Sequence, residues 1–229
     1  MAAEKYWFHI GIESALGGLI LLLVALSAAA GGNEVSDHDP RAAYLADSRT
    51  RLSDRLDALA VYSARFTQDV FGARGELLER SQGQVLLQRP DFKWVVDAPY
   101  PQVIVTEGDQ LKVYDPDLQQ LTIRPLDEAL SDTPVSILTR DDVIIGDRFH
   151  VARIADELGE AYVIQPASEE TLYREIRLQF DSRGLTGLDI LDHVGQRTEI
   201  RFSPDPAVSM IDSAEFVLEV PPDTDVIGG

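Results

Sequence analysis

The stretch from Gln84 to Pro101, QVLLQRPDFKWVVDAPYP, decides the fold because it holds two apolar strand patterns separated by a turn. Successive side chains of an extended strand alternate between faces, so Val85, Leu87 and Arg89 share one face. The proline after Arg89 must end the hydrogen-bonded ladder, since it has no N–H to donate. An arginine therefore stands at the end of an apolar row, where its presence needs an explanation.

Strand patterns continue on both sides of this stretch. Residues 61–70 alternate between apolar and polar side chains, and the turn sequences SQG, RPD, DAPYP, EGDQ and DPD then follow every eight to twelve residues. Such spacing favours antiparallel neighbours, because parallel strands need long crossovers. Further strands are predicted at 172–180, 185–194 and 197–203. About eleven strands predict a mainly β fold, a large curved sheet or barrel with a cavity or a plugging element.

Two helices are predicted beside the strands, together with a short helix-like turn in the carboxyl-terminal segment DSAEFVLEVPPDTDVI. Asp39 followed by Pro40 is typical of a helix start, and Leu45, Leu52, Leu56 and Leu59 recur at helical spacing over about 40–60. Thr133 and Pro134 repeat this start before a short apolar helix. The apolar sides of both helices need burial, which predicts a lid over the mouth of the sheet. The predicted lid residues are Leu52, Leu56, Leu59, Pro134, Val135, Ile137 and Leu138.

The amino-terminal segment predicts three regions along the chain. Residues 16–30, LGGLILLLVALSAAA, are too short to span a bilayer comfortably and end in small residues, which indicates a cleaved signal peptide over 1–30. Residues 31–39 form an acidic linker, and 40–229 form one domain. An uncleaved anchor remains the alternative, because Glu4 and Glu13 outnumber Lys5 where export signals are usually positive.

Composition excludes several function classes. The net charge of −19 argues against nucleic acid as a partner, because phosphate binding needs clustered basic side chains. This acidity is either adaptation to high salt or an acidic rim that meets a basic partner. The absence of cysteine removes disulfides, thiolate metal sites and a lipidated cysteine of its own. We predict no cofactor, no metal site and no catalytic residue.

Five segments in sequence carry a family resemblance: RFTQDV, GQVLLQRPDFKW, VYDPDLQQLT, DTPVSILTR and AEFVLEVPP. In order and spacing, over about 45–226, they resemble the periplasmic outer-membrane lipoprotein carrier proteins of the LolA family. The tail sequence PPDTDVI and the weakly basic signal depart from the family pattern. The resemblance implies an unclosed antiparallel β-barrel of about eleven strands, with a lid of short α-helices over an apolar cavity.

The same resemblance implies a function and its partners. The chain would act in the periplasm as a monomer that binds the acyl chains of lipoproteins. It would take them from an inner-membrane ATP-driven lipoprotein exporter complex and deliver them to an outer-membrane lipoprotein receptor. Burying each methylene is worth about 0.8 kcal/mol, so such a carrier must offer an apolar interior.

Strand alternation supplies the candidate lining of that interior, with ordinary core packing as the open alternative. The candidates are Phe66, Val85, Leu87, Phe92, Trp94, Val103, Val105, Leu111, Val113, Leu121 and Ile123.

Arg89 has two interpretations. Taken alone, an arginine before a proline at a strand end is a solvated cap. Matched to the arginine that precedes the proline in the family, it is implied to be a latch that donates hydrogen bonds to lid carbonyls, around Pro134–Leu138. Arginine suits this role because it is always charged and has five donors in a fixed fork.

Two other functions remain as alternatives. An envelope-stress sensor of acylated proteins could share the fold, but sensors usually append a further domain, and only nine residues follow Val220. A lipid hydrolase would need a nucleophile beside a base. His38 falls in the predicted linker, His150 and His193 fall in strand candidates, and no G-x-S-x-G pattern occurs.

Overall fold

The computed structural model describes residues 40–126 and 149–228, apart from 156, 158, 169 and 170. The predicted signal peptide, the linker with His38 and the predicted helix at Pro134–Leu138 lie outside these residues.

The described chain contains one α-helix, α1 (Pro40–Asp57), a 3₁₀ helix (Ser213–Phe216) and twelve strands. The strands are β1 (Val61–Phe71), β2 (Leu77–Gln88), β3 (Asp91–Ala98), β4 (Gln102–Glu107), β5 (Gln110–Asp115), β6 (Gln120–Pro125), β7 (Phe149–Ala155), β8 (Glu160–Pro166), β9 (Tyr173–Asp181), β10 (Gly184–Asp192), β11 (Arg197–Pro204) and β12 (Asp225–Gly228).

All strands belong to one sheet in the order β12-β6-β5-β4-β3-β2-β1-β11-β10-β9-β8-β7. Among the described residues β7 and β12 are its two edges, so the sheet is not closed. This confirms the predicted mainly β, unclosed architecture. The twelfth strand was not predicted, and it pairs parallel to β6, whereas every other pair is antiparallel.

Helix α1 covers one face of the sheet, which we call the inner face. Leu52, Leu56 and Leu59 are buried in one cluster with strand residues such as Phe66 and Trp94. The helix itself ends at Asp57, earlier than predicted. The backbone continues in a tight turn, in which the N–H of Leu59 donates to Leu56 O at 3.0 Å. Three leucines of the predicted apolar stripe therefore pack against the sheet, whereas the fourth, Leu45, is half-buried and lies outside this cluster.

The register of β1 to β3 defines which side chains share the inner face. Ala64 pairs with Val85, Val85 with Trp94, and Leu87 with Phe92. All of these side chains are buried in the cluster beneath α1. The predicted alternation along β2 and β3 is thus confirmed.

The register of β4 shows that two predicted lining residues, Val103 and Val105, do not lie on the inner face. Trp94 pairs with Ile104, which places Ile104 on the inner face and its neighbours Val103 and Val105 on the opposite, outer face. Val105 instead packs in a separate cluster with Ile211 and Phe216 from the segment around the 3₁₀ helix. Because β4 is apolar on both faces, its sequence could not indicate which of them faces α1.

Two predicted lining residues on β6, Leu121 and Ile123, also lie away from the inner face, for a related reason. Val113 on β5 pairs with Thr122, whereas Leu121 pairs with Tyr114 and Ile123 pairs with Lys112. Leu121 and Ile123 therefore lie on the outer face. Alternation along β6 identified two side chains on a common face but could not tell which face that was.

Candidate functional site

An aromatic stack forms the centre of the inner face. The ring centroids of Phe66 and Trp94 are 4.0 Å apart at 27°, and those of Phe92 and Trp94 are 6.4 Å apart at 23°. Phe202 meets Trp94 edge-on, at 6.2 Å and 89°. Gly83 makes room for this stack, because a Cβ there would lie 2.7 Å from the Phe66 ring and 1.8 Å from Val95 O.

The inner face holds most of the predicted lining residues. Phe66, Val85, Leu87, Phe92 and Trp94 are buried there, and Leu111 and Val113 pack against them half-buried. Sequence reasoning did not select the remaining buried side chains of this face. These include Tyr62, Ile104, Val151, Tyr162, Ile164, Ile176, Leu178, Phe180, Leu185, Leu188, Ile190, Ile200 and Phe202. The alternation of β9 had indicated a buried row without assigning it to the same interior.

Arg89 holds the carboxyl-terminal end of α1. Its Nη2 donates to Leu56 O at 2.8 Å, and its Nη1 lies 3.6 Å from Asp57 Oδ1. The side chain is only 11% exposed, so it is not a solvated cap. The last carbonyls of a helix have no partner within the helix and favour a nearby cation. Arg89 therefore binds a backbone carbonyl of α1, while Pro134–Leu138, where its partners were predicted, lie outside the described residues.

A second polar contact fixes α1 to the inner face near β7 and β8. Glu160 accepts hydrogen bonds from Arg55 of α1, from Arg153 Nε at 2.7 Å and from Tyr162 Oη at 3.1 Å. Tyr44 of α1 also donates to the backbone carbonyl of Arg153. Burial alone would raise the pKa of Glu160, but its hydrogen bonds hold that pKa below the ordinary value. The carboxylate thus stays charged and links the helix to the sheet.

Sequence reasoning missed Glu160, although the signal was present. Glu160, Tyr162 and Ile164 alternate along β8, and the last two are fully buried. A charged side chain therefore stands at one end of an apolar row, as Arg89 does directly after β2.

The described inner face is packed rather than open. A pocket of about 240 Å³ lies at its rim, between the end of α1, the β9–β10 turn and the residues after β11. Its apolar wall includes Leu59, Tyr62 and Phe180. Pockets for small ligands usually span about 300–1,000 Å³, so this pocket by itself is too small for a long acyl chain.

Other site chemistries find little support in the described part of the chain. Within it, no group of three or more histidine, cysteine, aspartate or glutamate residues has the arrangement of a metal site. His150 on β7 and His193 in the β10–β11 turn are both exposed. No helix among the described residues is long and apolar enough to cross a membrane.

Comparison with protein families gives one match over most of the chain. The family described as outer membrane lipoprotein carrier protein LolA matches residues 57–219. An outer-membrane lipoprotein carrier protein of Chromohalobacter salexigens is 36% identical over 178 residues, which cover 77% of this chain and 85% of that protein. One from Azotobacter vinelandii is 37% identical over 187 residues, covering 80% and 89%.

Solved structures give weaker likenesses. A LolA superfamily protein from Nitrosomonas europaea is 12% identical with a TM-score of 0.45, covering 76% of this chain and 98% of that one. MucB is 10% identical with a TM-score of 0.46, covering 77% of this chain and 63% of that one.

Proposed function

The chain belongs to the LolA family of outer-membrane lipoprotein carrier proteins, and we propose that it binds the acyl chains of lipoproteins in the periplasm and carries them to the outer membrane. Its role is to hold and release cargo, without a chemical step.

The observation that carries this proposal is the continuous apolar inner face beneath α1. Aromatic and aliphatic side chains from nearly every strand meet there, and Leu52, Leu56 and Leu59 cover them. An acyl chain in water costs about 0.8 kcal/mol per methylene relative to an apolar site. Moving α1 aside would expose apolar surface of the kind that such chains need.

The contacts of α1 support a closed state that cargo must displace. Arg89 bonds to Leu56 O in the last turn of α1, and Glu160 links Arg55 of the same turn to β7 and β8. A ligand that binds only the open state competes against these contacts, so they lower its apparent affinity. The Arg89 contact then acts as a latch that favours release when a receptor offers the acyl chains another site.

The partners in this proposal are acylated lipoproteins, an inner-membrane ATP-driven exporter complex that supplies them and an outer-membrane receptor that accepts them. The carrier works as a monomer. Its net charge of −19 suits either a high-salt environment or a docking surface for basic partners.

The domain organisation forms part of the same proposal. Residues 1–30 direct export and are removed, 31–39 form an acidic linker, and 40–229 form the carrier domain. Mass spectrometry of the protein recovered from the periplasm tests this, because a mass that still includes residues 1–30 indicates a retained anchor.

A solubility experiment tests the carrier function. The purified full chain is mixed with a detergent-solubilised lipoprotein, and the detergent is then diluted below its micelle concentration. We expect the lipoprotein to stay soluble in a 1:1 complex, while the same protein without acyl chains elutes alone. Two lipoproteins with unrelated folded domains are compared, since a carrier should hold both and a sensor only one. Precipitation of both would overturn the proposal, and release of free fatty acid from the lipoprotein would indicate a hydrolase.

A further inference from the structure

Trp94 has a buried polar atom with no partner in the described structure. Its side chain is 3% exposed, and its Nε1 forms no hydrogen bond there. A buried donor without an acceptor loses its hydration without compensation, and such groups are rare in folded proteins. The position is central, because Trp94 stacks between Phe66 and Phe92 on the inner face.

Other buried polar side chains of the same face do have partners. Tyr62 Oη donates to Leu185 O at 2.7 Å. Thr106 Oγ1 accepts from the N–H of Phe92 at 2.8 Å and donates to Phe92 O at 3.4 Å. These polar groups are satisfied, whereas the Trp94 donor has no acceptor among residues 40–126 and 149–228 as far as they are described.

A second unpartnered polar atom lies close by. Gln102 on β4 pairs with Val96 and therefore shares the inner face with Trp94, on the neighbouring strand. Its Oε1 is buried and forms no hydrogen bond in the described structure. The β3–β4 part of the inner face thus has unmet hydrogen-bonding capacity within an otherwise apolar surface.

We propose that Trp94 Nε1 donates a hydrogen bond to the carbonyl oxygen of the linkage that joins an acyl chain to its lipoprotein. This rests on the proposed function and names the polar group that the site recognises. The hydrocarbon tail of an acyl chain has no acceptor, whereas the ester or amide linkage at its end brings a carbonyl oxygen into the site. A donor at a fixed position would set how deep the chains enter, because the carbonyl must stop at Trp94.

The test compares two probes that differ only in the carbonyl oxygens of their two chain linkages. One is a short peptide whose amino-terminal cysteine carries a dipalmitoylglyceryl group with ester linkages, and the other carries two hexadecyl chains in ether linkages. Affinities for the full chain are measured by calorimetry. We expect the ester probe to bind about fivefold more tightly, the ratio for one neutral hydrogen bond, and Trp94→Phe to lose that preference.

Phe92→Leu is the matched control, since it shrinks a neighbouring ring of the same face and removes no polar atom. It should weaken the binding of both probes by the same factor, so the ratio of their affinities should stay as it is in the wild-type protein. Circular dichroism and thermal unfolding verify that both variants fold. An N-palmitoyl peptide serves as a third probe, with an amide linkage. If Trp94→Phe weakens the binding of this peptide more than that of the ester probe, the amide carbonyl is the acceptor.

Equal affinities of the wild-type protein for ester and ether probes would overturn the inference and leave the carrier function standing. That result would mean that the indole N–H does not bond to a cargo carbonyl. A preference that persists in Trp94→Phe would overturn it as well. If neither probe binds, the proposed function itself fails, which separates the two conclusions.

Discussion

Arg89 Nη2 donates a hydrogen bond to the backbone carbonyl of Leu56 at 2.8 Å, and this bond joins the end of β2 to the last turn of α1. The two residues are 33 positions apart. One end of the bond therefore belongs to the sheet and the other to the helix that covers it. Any motion that lifts this end of α1 from the inner face must break the bond.

Replacing Arg89 with leucine should tighten cargo binding and slow its release. Hydrogen bonds to a charged group are worth about 1.5–3 kcal/mol, so losing them destabilises the closed state by up to that amount. The affinity for an acylated peptide should rise by up to about a hundredfold, and transfer to a receptor should slow. Equilibrium binding and the rate of transfer to receptor-bearing liposomes measure the two effects.

Asp57→Asn is the control for Arg89→Leu. It removes the charge that lies 3.6 Å from Arg89 Nη1 and leaves the bond to Leu56 O possible. Because Asp57 is 66% exposed, its ion pair is worth little, and affinity should change less than about threefold. Weaker loading by Arg89→Leu, with transfer reduced only in proportion, would mean that Arg89 contacts the cargo directly and would contradict the latch.

Replacing Glu160 with glutamine should destabilise the fold near neutral pH. The carboxylate is 10% exposed and accepts from two arginines and Tyr162, so its loss leaves charged groups without their partner. We expect a cost of about 1–3 kcal/mol in the free energy of unfolding. Urea unfolding at pH 7 measures it. Asp47→Asn removes an exposed ion pair of α1 and should cost no more than about 0.5 kcal/mol.

The Glu160→Gln effect should also depend on pH. The hydrogen bonds hold the folded-state pKa of Glu160 below its ordinary value of 4.5. A depressed pKa gives stability that is fully present above the ordinary value and is lost as pH falls through the folded value. The difference in stability between wild type and variant should therefore shrink below about pH 4.5. A difference that stays constant between pH 7 and pH 3 would contradict the role of the charge.

A pair of valines tests which face of the sheet receives acyl chains. Val113 packs against the inner-face cluster, whereas Val103 lies on the outer face, and both are half-buried. Val113→Gln should weaken binding of an acylated peptide about tenfold or more, because a polar amide then meets the chains. Val103→Gln should change it less than twofold. Equal losses in the two variants would place the acyl chains elsewhere.

The sequence predicted the strand architecture well because turns and two-residue alternation are local properties. The Arg89 contact was predictable in kind only through the family resemblance, because the residue pattern taken alone favoured a solvated cap. Its acceptor Leu56 O was not, because α1 was expected to run on to about 60. Glu160 carried the same signal on β8, and only the pairing of β8 with its neighbours shows its importance.

Other features depend on pairing that no single strand encodes. Val103, Ile104 and Val105 are all apolar, so the face that β4 turns toward α1 follows from its register with β3. The parallel pairing of β12 with β6 joins residues about a hundred positions apart and leaves no local pattern. Long-range register, rather than propensity, therefore determines which predicted lining residues reach the inner face.

The emission of Trp94 tests most directly whether acyl chains enter the inner face. The chain has two tryptophans, so Trp7→Phe leaves Trp94 as the sole reporter, at the centre of the stack with Phe66 and Phe92. An acylated peptide should change the emission in a saturable manner, and the same peptide without acyl chains should leave it unchanged. Identical spectra throughout both titrations would contradict the inner face as the acyl-chain site.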